Sequence, residues 1–399
     1  MVLTMSLFIF LQPNQKVSQD HSSLQLMEHE STMMPLMRSV TTITRYRVIG
    51  SIEQQLRSKI AEILEKNPWL TGRLSKSRFS RDVHLKYKQS AQLNFQSIVD
   101  DHLHIIRDCD LATNCSYDEY MQAFHKYSVA RGNHCINNSQ GKLLLVTLVY
   151  IKNSDNIVVV FSLSHMIADG CTFYALQNML DRSIPVTAME VVRSTKYPSE
   201  LLTLFGEKKA MWHSSWYIPV GLLACAFLRP RMRGYIVKVD KKWLNAQKSA
   251  YQKKRDTGRG DADVDFISTN DILTAWHNRV SGTNVNIMAF NLRNRSSHFT
   301  NSMAGNYENS IMYNTPEDGG TPEAIRRSLS TVPYCNASNS VPGALKTLLW
   351  NGGITTNWCS FYKQIDLSDA RTGVKCDYLT HMPICEGNDL RVWREAMVI

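Results

Sequence analysis

The chain has 399 residues, 43% hydrophobic and 20% charged, which is the composition of a soluble globular protein with room for one large domain or two ordinary ones. No apolar run reaches the ~18 residues that span a bilayer, so a multi-span membrane protein is excluded. The net charge of +10 suits anionic ligands such as nucleotide phosphates or an acidic membrane surface, while no zinc-finger or RRM-type motif argues for nucleic acid.

The nine cysteines, Cys109, Cys115, Cys135, Cys171, Cys225, Cys335, Cys359, Cys376 and Cys385, include no Cys-x-x-Cys pair and are odd in number. That argues against a metal cage and against a disulfide framework, and it favours reduced thiols in the cytoplasm. Asn-x-Ser tripeptides at Asn114, Asn137, Asn294 and Asn336 are common by chance and are not taken as glycosylation sites.

In chain order, Val2–Leu11 is apolar but short, without a basic flank or a small-residue cleavage site, and reads as a strand or a ragged start rather than a signal peptide. Met37–Val48 reads as a strand. Ile52–Lys66 carries Ile52, Leu56, Ile60, Ile63 and Leu64 at helical spacing, and Asn67-Pro68 ends that helix. Trp69–Leu74 is a turn into another extended piece. Leu143–Ile151 and Ile157–Leu163 are apolar strands joined by the polar turn Lys152–Asn156, a hairpin inside a core sheet. Thr172–Leu180 presents Phe173, Leu176, Met179 and Leu180 on one helical face.

The stretch 183–234 differs in character. Its apolar run Trp216–Leu228, followed by Arg229, Arg231 and Arg233, fits a crossover packed on the body, an interfacial amphipathic patch, or a lid over a substrate tunnel. A second αβ series then begins, with Tyr235–Val239 a strand and Lys241–Lys253 a helix. Arg255–Asp265 is an exposed loop. Ser268 or Thr269 caps a helix that runs to about Val280, with Asp271 favourable in its first turn. Val285–Leu292, Asn306–Tyr313, Ile354–Ile365 and Leu390–Trp393 read as strands, and Thr321–Ser328 and Ala344–Leu349 as helices. Strands alternating with helices in both halves imply a mixed α/β fold in two lobes.

Chemistry is suggested at Val158–Gly170. A buried strand runs into a polar turn with His165, and Asp169 and Gly170 follow. A histidine in a strand-to-helix connection is a candidate general base. Alone, the His-x-x-x-Asp-Gly pattern is weak, since such a histidine is often structural. His165 and Asp169 as two metal ligands would need a third that is not nearby, so no metal is expected.

The segment resembles the His-x-x-x-Asp-Gly motif of the CoA-dependent acyltransferase superfamily, which includes chloramphenicol acetyltransferase, the BAHD acyltransferases and peptide-synthetase condensation domains. Other segments resemble BAHD motifs in the same order: Asn67-Pro68-Trp69-Leu70-Thr71-Gly72-Arg73-Leu74, Ser268-Thr269-Asn270-Asp271, Asn291-Leu292-Arg293-Asn294-Arg295, Ala304-Gly305-Asn306 and Thr356-Asn357-Trp358. The sequence departs from BAHD enzymes after the last of these, where Asp366 is kept but Ser368-Asp369 stand in place of a Gly-Trp pair.

The resemblance implies a two-lobed chloramphenicol acetyltransferase-like fold. Each lobe is a mixed sheet flanked by helices, and a tunnel between the lobes holds the active site. Residues 1–182 would form the first lobe, 183–234 the crossover and 235–399 the second lobe. It also implies an acyl-CoA-dependent O- or N-acyltransferase of secondary metabolism. The co-substrate would be acyl-CoA, the acceptor a small alcohol or amine, no separate cofactor would be needed, and the chain would act as a monomer. His165 would be the base in direct attack on the thioester. Thr356, Trp358 and, more weakly, Asn306 would be oxyanion donors. Asp169 would prop the loop through Arg293 or Arg295, and Gly170 would permit close packing under the site. Two other readings stay open: a non-catalytic acyl- or carrier-binding relative, and a peripheral membrane lipid acyltransferase.

Overall fold

A computed structural model describes residues 22–110, 115–210, 212, 236–314, 318–336, 338–343, 352–384 and 395–398. The segments Val2–Leu11, Trp216–Leu228, Ala344–Leu349 and Leu390–Trp393 lie outside the described residues. Twelve strands are numbered in chain order: β1 Ser22–Gln25, β2 Val40–Ile49, β3 Arg73–Lys76, β4 Val83–Tyr87, β5 Leu103–Cys109, β6 Leu144–Ile151, β7 Asn156–Leu163, β8 Val285–Asn291, β9 Glu308–Asn314, β10 Gly352–Thr356, β11 Lys375–Pro383 and β12 Glu395–Val398.

They form three sheets. A five-stranded sheet has the order β11-β2-β7-β6-β5, a four-stranded one β12-β10-β8-β9, and a three-stranded one β1-β4-β3. β6 and β7 are antiparallel neighbours at the centre of the first sheet, with Leu144 opposite Leu163 and Tyr150 opposite Ile157. Both strands are buried on both faces along nearly their whole length, which is why their sequences are continuous apolar runs rather than alternating ones. In the second sheet β8 lies between β10, parallel, and β9, antiparallel.

The helices Glu53–Lys66, Gly170–Asn178, Lys241–Asp256, Thr269–Val280 and Pro322–Ser330 stand where helical spacing places them. Ser268 caps the fourth through a reciprocal pair: its hydroxyl accepts from Asp271 N at 3.2 Å and its own N–H donates to Asp271 Oδ2 at 2.7 Å. Among the described residues no helix is long and apolar enough to cross a membrane.

Two expectations are corrected. Ile236–Val239 forms no strand, and Ile236 and Val237 are exposed instead. The strand expected over Ile354–Ile365 stops at Thr356, because Asn357 Oδ1 accepts from Cys359 N at 3.0 Å and Trp358 O from Phe361 N at 2.9 Å, turning the chain. β11, from the stretch assigned to the second lobe, is the edge strand of the first sheet, antiparallel to β2. Ile365, Leu367 and Val374 join the same core as β6 and β7. Alternation along β11 is broken by a register shift between Tyr378 and Thr380 and the strand ends in Pro383, features of an edge that leave a weak sequence signal.

A buried histidine, His277, and a half-buried one, His381, make the fold acid-sensitive. His277 contacts Thr355 Oγ1 through Nδ1 at 3.1 Å; His381 contacts Thr44 Oγ1 at 2.8 Å and Tyr174 Oη at 3.1 Å. Burial pulls both down to about 4. Unfolded, each takes up its proton near pH ~6.5, so between that pH and about 4 the unfolded chain binds more protons than the folded one. Stability therefore falls as pH drops through this window. Denaturant midpoints measured from pH 7 to pH 4 check this; a flat profile contradicts it.

Candidate active site

The end of β7 presents His165. Ser164 N donates to Leu143 O at 2.8 Å, closing the sheet, and Met166, Ile167 and Ala168 are fully buried. His165 is thus carried on a turn anchored by apolar burial on its C-terminal side. Asp169 then caps the Gly170–Asn178 helix, its Oδ1 accepting from Thr172 N at 2.9 Å.

The other carboxylate oxygen of Asp169 faces inward. It accepts from Arg293 Nη1 at 2.6 Å and from Tyr307 N at 3.0 Å, so one side chain joins the His165 turn to the ends of β8 and β9. Arg293 continues the network to Thr172 Oγ1, Met303 O and Gly305 O. Both members of the ion pair are almost wholly buried, at 0% and 2% side-chain exposure. Arg295 makes no such pair, which corrects the alternative assignment. Its guanidinium lies 4.2 Å from the Phe290 ring centre and 5.4 Å from that of Tyr334.

Gly305 has φ +136°, and a Cβ there would stand 2.9 Å from Arg193 Cζ. Only glycine fits this turn without strain. The turn aims Asn306 at His165, and Asn306 Oδ1 lies 2.9 Å from His165 Nδ1. Asn306 Nδ2 donates to Glu30 Oε1 at 3.0 Å and to His165 O at 2.9 Å. Both of those partners only accept, so the amide orientation is determined: its oxygen faces the ring and Nδ1 must carry the hydrogen. With Nδ1 carrying the hydrogen, Nε2 is the ring nitrogen left without a hydrogen bond to the Asn306 amide. Both amide hydrogens of Asn306 are thus engaged, and its oxygen sets the tautomer of His165.

Glu30, fully buried, anchors this arrangement. Its Oε1 accepts from Asn306 N and Nδ2, each at 3.0 Å. Its Oε2 accepts from Arg193 Nε at 2.8 Å and Met27 N at 2.9 Å. Burial pushes the carboxyl up, but the Arg193 charge and hydrogen bonds outweigh it and the net shift is downward. Arg193 also donates to Ala304 O, Val191 O and Ile167 O. It lies in the stretch assigned to the crossover and ties that stretch to the His165 turn and the Asn306 turn at once. Beside them His29, held neutral chiefly by burial, donates from Nε2 to Asn306 O at 2.9 Å and stacks on Tyr197.

Glu30→Gln puts an amide N–H against one of these donor pairs and leaves a buried arginine uncompensated. It is expected to cost about 3–5 kcal/mol, read from denaturant unfolding. An unchanged midpoint contradicts the anchoring role.

A cleft lies beside Glu308, which stands 3.9 Å from His165. Asp169, Gly170, Cys171, Glu308, Thr356 and Trp358 line it, with Asn291 and Phe361. A Cβ at Gly170 would stand 3.1 Å from Trp358 Nε1, so the indole packs directly on the first turn of the helix. The contact runs from Glu308 Oε1 to His165 Nε2. Burial raises the Glu308 carboxyl, and His165 pulls the other way. The Cys171 thiol is pushed up to about 11 by burial and stays protonated near neutral pH. Among the described residues no group of three or more His, Cys, Asp or Glu side chains could hold a metal.

The sequence reading missed Glu30, Arg193 and Glu308. Glu30 and Arg193 belong to no local motif, and only their complete burial as a pair marks them. Glu308 did carry a signal: it stands two residues after Asn306 at the start of a strand, an acidic side chain directed back at the histidine.

No family model matches the sequence and no curated protein does. Solved structures do. The chain is similar to F. graminearum TRI101 complexed with coenzyme A and T-2 mycotoxin, at TM-score 0.55 and 14% identity, over 91% of this chain and 89% of that one. The chain shares this fold, which is two-lobed and chloramphenicol acetyltransferase-like. TRI101 of F. sporotrichioides, with coenzyme A and T-2, aligns at TM-score 0.53 and 13% identity, over 92% and 96% of the two chains. TRI3 trichothecene 15-O-acetyltransferase from Fusarium sporotrichioides aligns at 0.54 and 9%, over 94% and 88%. The likeness in fold extends over 91%, 92% and 94% of this chain in the three comparisons.

Proposed function

We propose that the protein transfers an acyl group from acyl-CoA to a hydroxyl or amine of a small molecule, with His165 as general base. The observation that carries this is the orientation of His165. Asn306, itself held by Glu30, occupies Nδ1 and leaves Nε2 free, 3.9 Å from Glu308, a residue that lines the cleft. The complexes of structural neighbours with coenzyme A and T-2 support the same pair of substrate classes for this chain.

In the proposed reaction Nε2 takes the acceptor's proton as its oxygen or nitrogen attacks the thioester carbonyl. The Thr356 hydroxyl and the Trp358 indole N–H, both on the cleft, are the donors for the resulting oxyanion. Collapse breaks the C–S bond, and the imidazolium returns its proton to the departing thiolate. A protonated Cys171 thiol favours direct attack over an acyl-enzyme. The free cysteines of the described residues suit a cytoplasmic enzyme, and a small acceptor of secondary metabolism fits the neighbours.

Intact-protein mass spectrometry after mixing with acetyl-CoA tests the route. The expected result is no acetyl adduct without acceptor and acetylated product with one. A stoichiometric adduct on Cys171 contradicts direct transfer, and bound CoA with no product from any acceptor points to a ligand-binding relative. The peripheral membrane reading rests on residues 216–233, which lie outside the described structure.

A further inference from the structure

We infer that Glu308 makes the acceptor site selective for amines over alcohols; this rests on the acyltransferase reading above. Glu308 is the first residue of β9, two residues past the Asn306 that orients the base. Its Oε1 stands 3.9 Å from His165 Nε2, beyond hydrogen-bond reach but close enough for one acceptor atom to approach both. The side chain is 29% exposed and faces the cleft with Gly170, Thr356 and Trp358. At that distance Glu308 makes no hydrogen bond to the ring, so its carboxyl is left to meet whatever enters.

The number of hydrogens on the nucleophile decides the selectivity. A primary amine brings two N–H bonds. One points to Nε2 and the other to Glu308. As the nitrogen attacks the thioester carbonyl, the C–N bond forms and the nitrogen becomes positive while keeping both hydrogens. Nε2 removes one, the C–S bond breaks, and the thiolate takes that proton from the imidazolium. The second N–H stays on the amide product, and until the proton leaves Glu308 stabilises the positive nitrogen. A hydroxyl has one hydrogen, which goes to Nε2. Its oxygen then sets its remaining lone pairs against a carboxylate, an unfavourable contact.

The test uses the full chain with acetyl-CoA and a matched pair of probes, tryptamine and tryptophol. Wild type is expected to favour the amine, and Glu308→Gln to lower the amine-over-alcohol ratio of kcat/KM by roughly 10- to 100-fold, the range of a charge-assisted hydrogen bond. Equal loss for both acceptors, or an unchanged ratio, overturns the inference. Calorimetric binding of each probe in the presence of CoA gives an arm independent of turnover. Loss of tryptamine binding in Glu308→Gln without turnover in wild type supports the amine site while rejecting the transferase reading. Tryptamine bound equally by both proteins rejects the amine site. Matching thermal melts of wild type and Glu308→Gln show that the isosteric change leaves the fold intact.

Discussion

Asp169→Ala unfolds at a midpoint roughly 5–10 °C below wild type, corresponding to about 3–5 kcal/mol. The reason is the company Asp169 keeps. Its two oxygens serve three donors: Thr172 N, Arg293 Nη1 and Tyr307 N. Truncation leaves the Arg293 guanidinium buried without its counter-charge, which costs more than the pair contributes when whole. It also removes a helix cap, worth about 1 kcal/mol. Asp169→Asn, which retains the capping oxygen but not the charge, falls between the two. Turnover drops as well, because the His165 turn loses its tie to β8 and β9. A melting temperature equal to that of wild type contradicts the propping role.

His165→Ala behaves in the opposite way. Its side chain is 22% exposed, and the loop carrying it is held by Met166, Ile167, Ala168 and Asp169 rather than by the imidazole. The melting temperature should therefore stay within about 2 °C, as for most substitutions away from core packing and buried charge. Turnover should fall by roughly 100- to 10,000-fold, the usual contribution of a positioned general base. Steady-state CoA release with saturating acceptor, measured beside a melt, gives both numbers. A rate within about threefold of wild type removes His165 from the proposed chemistry.

The contrast shows how much was legible in the sequence. Val158–Gly170 announced the strand, the turn and the helix because apolar burial and capping are local properties. Arg293 could be paired with Asp169 only through the family resemblance, and the choice between Arg293 and Arg295 needed coordinates. The two arginines are two residues apart, yet one is buried on Asp169 and the other lies over Phe290. The motif marks Asn306 as a site residue, but its hold on His165 depends on Glu30, 276 residues away, which no local pattern shows. Non-local pairing hid the edge strand β11 in the same way. Its residues are half-buried against β2, and its partner lies more than 300 residues earlier. What the chain encodes locally could be read from it; what it encodes by juxtaposition could not.

The most direct measurement follows the acyl group itself. Acetyl-CoA labelled in the acetyl carbon is mixed with an amine acceptor and excess enzyme for a single turnover. The products are then resolved for folded wild type and folded His165→Ala. The account predicts that label moves to the acceptor nitrogen with wild type, in step with CoA thiol release, and stays on CoA with the variant. Label reaching the acceptor at the same rate with both proteins would contradict it.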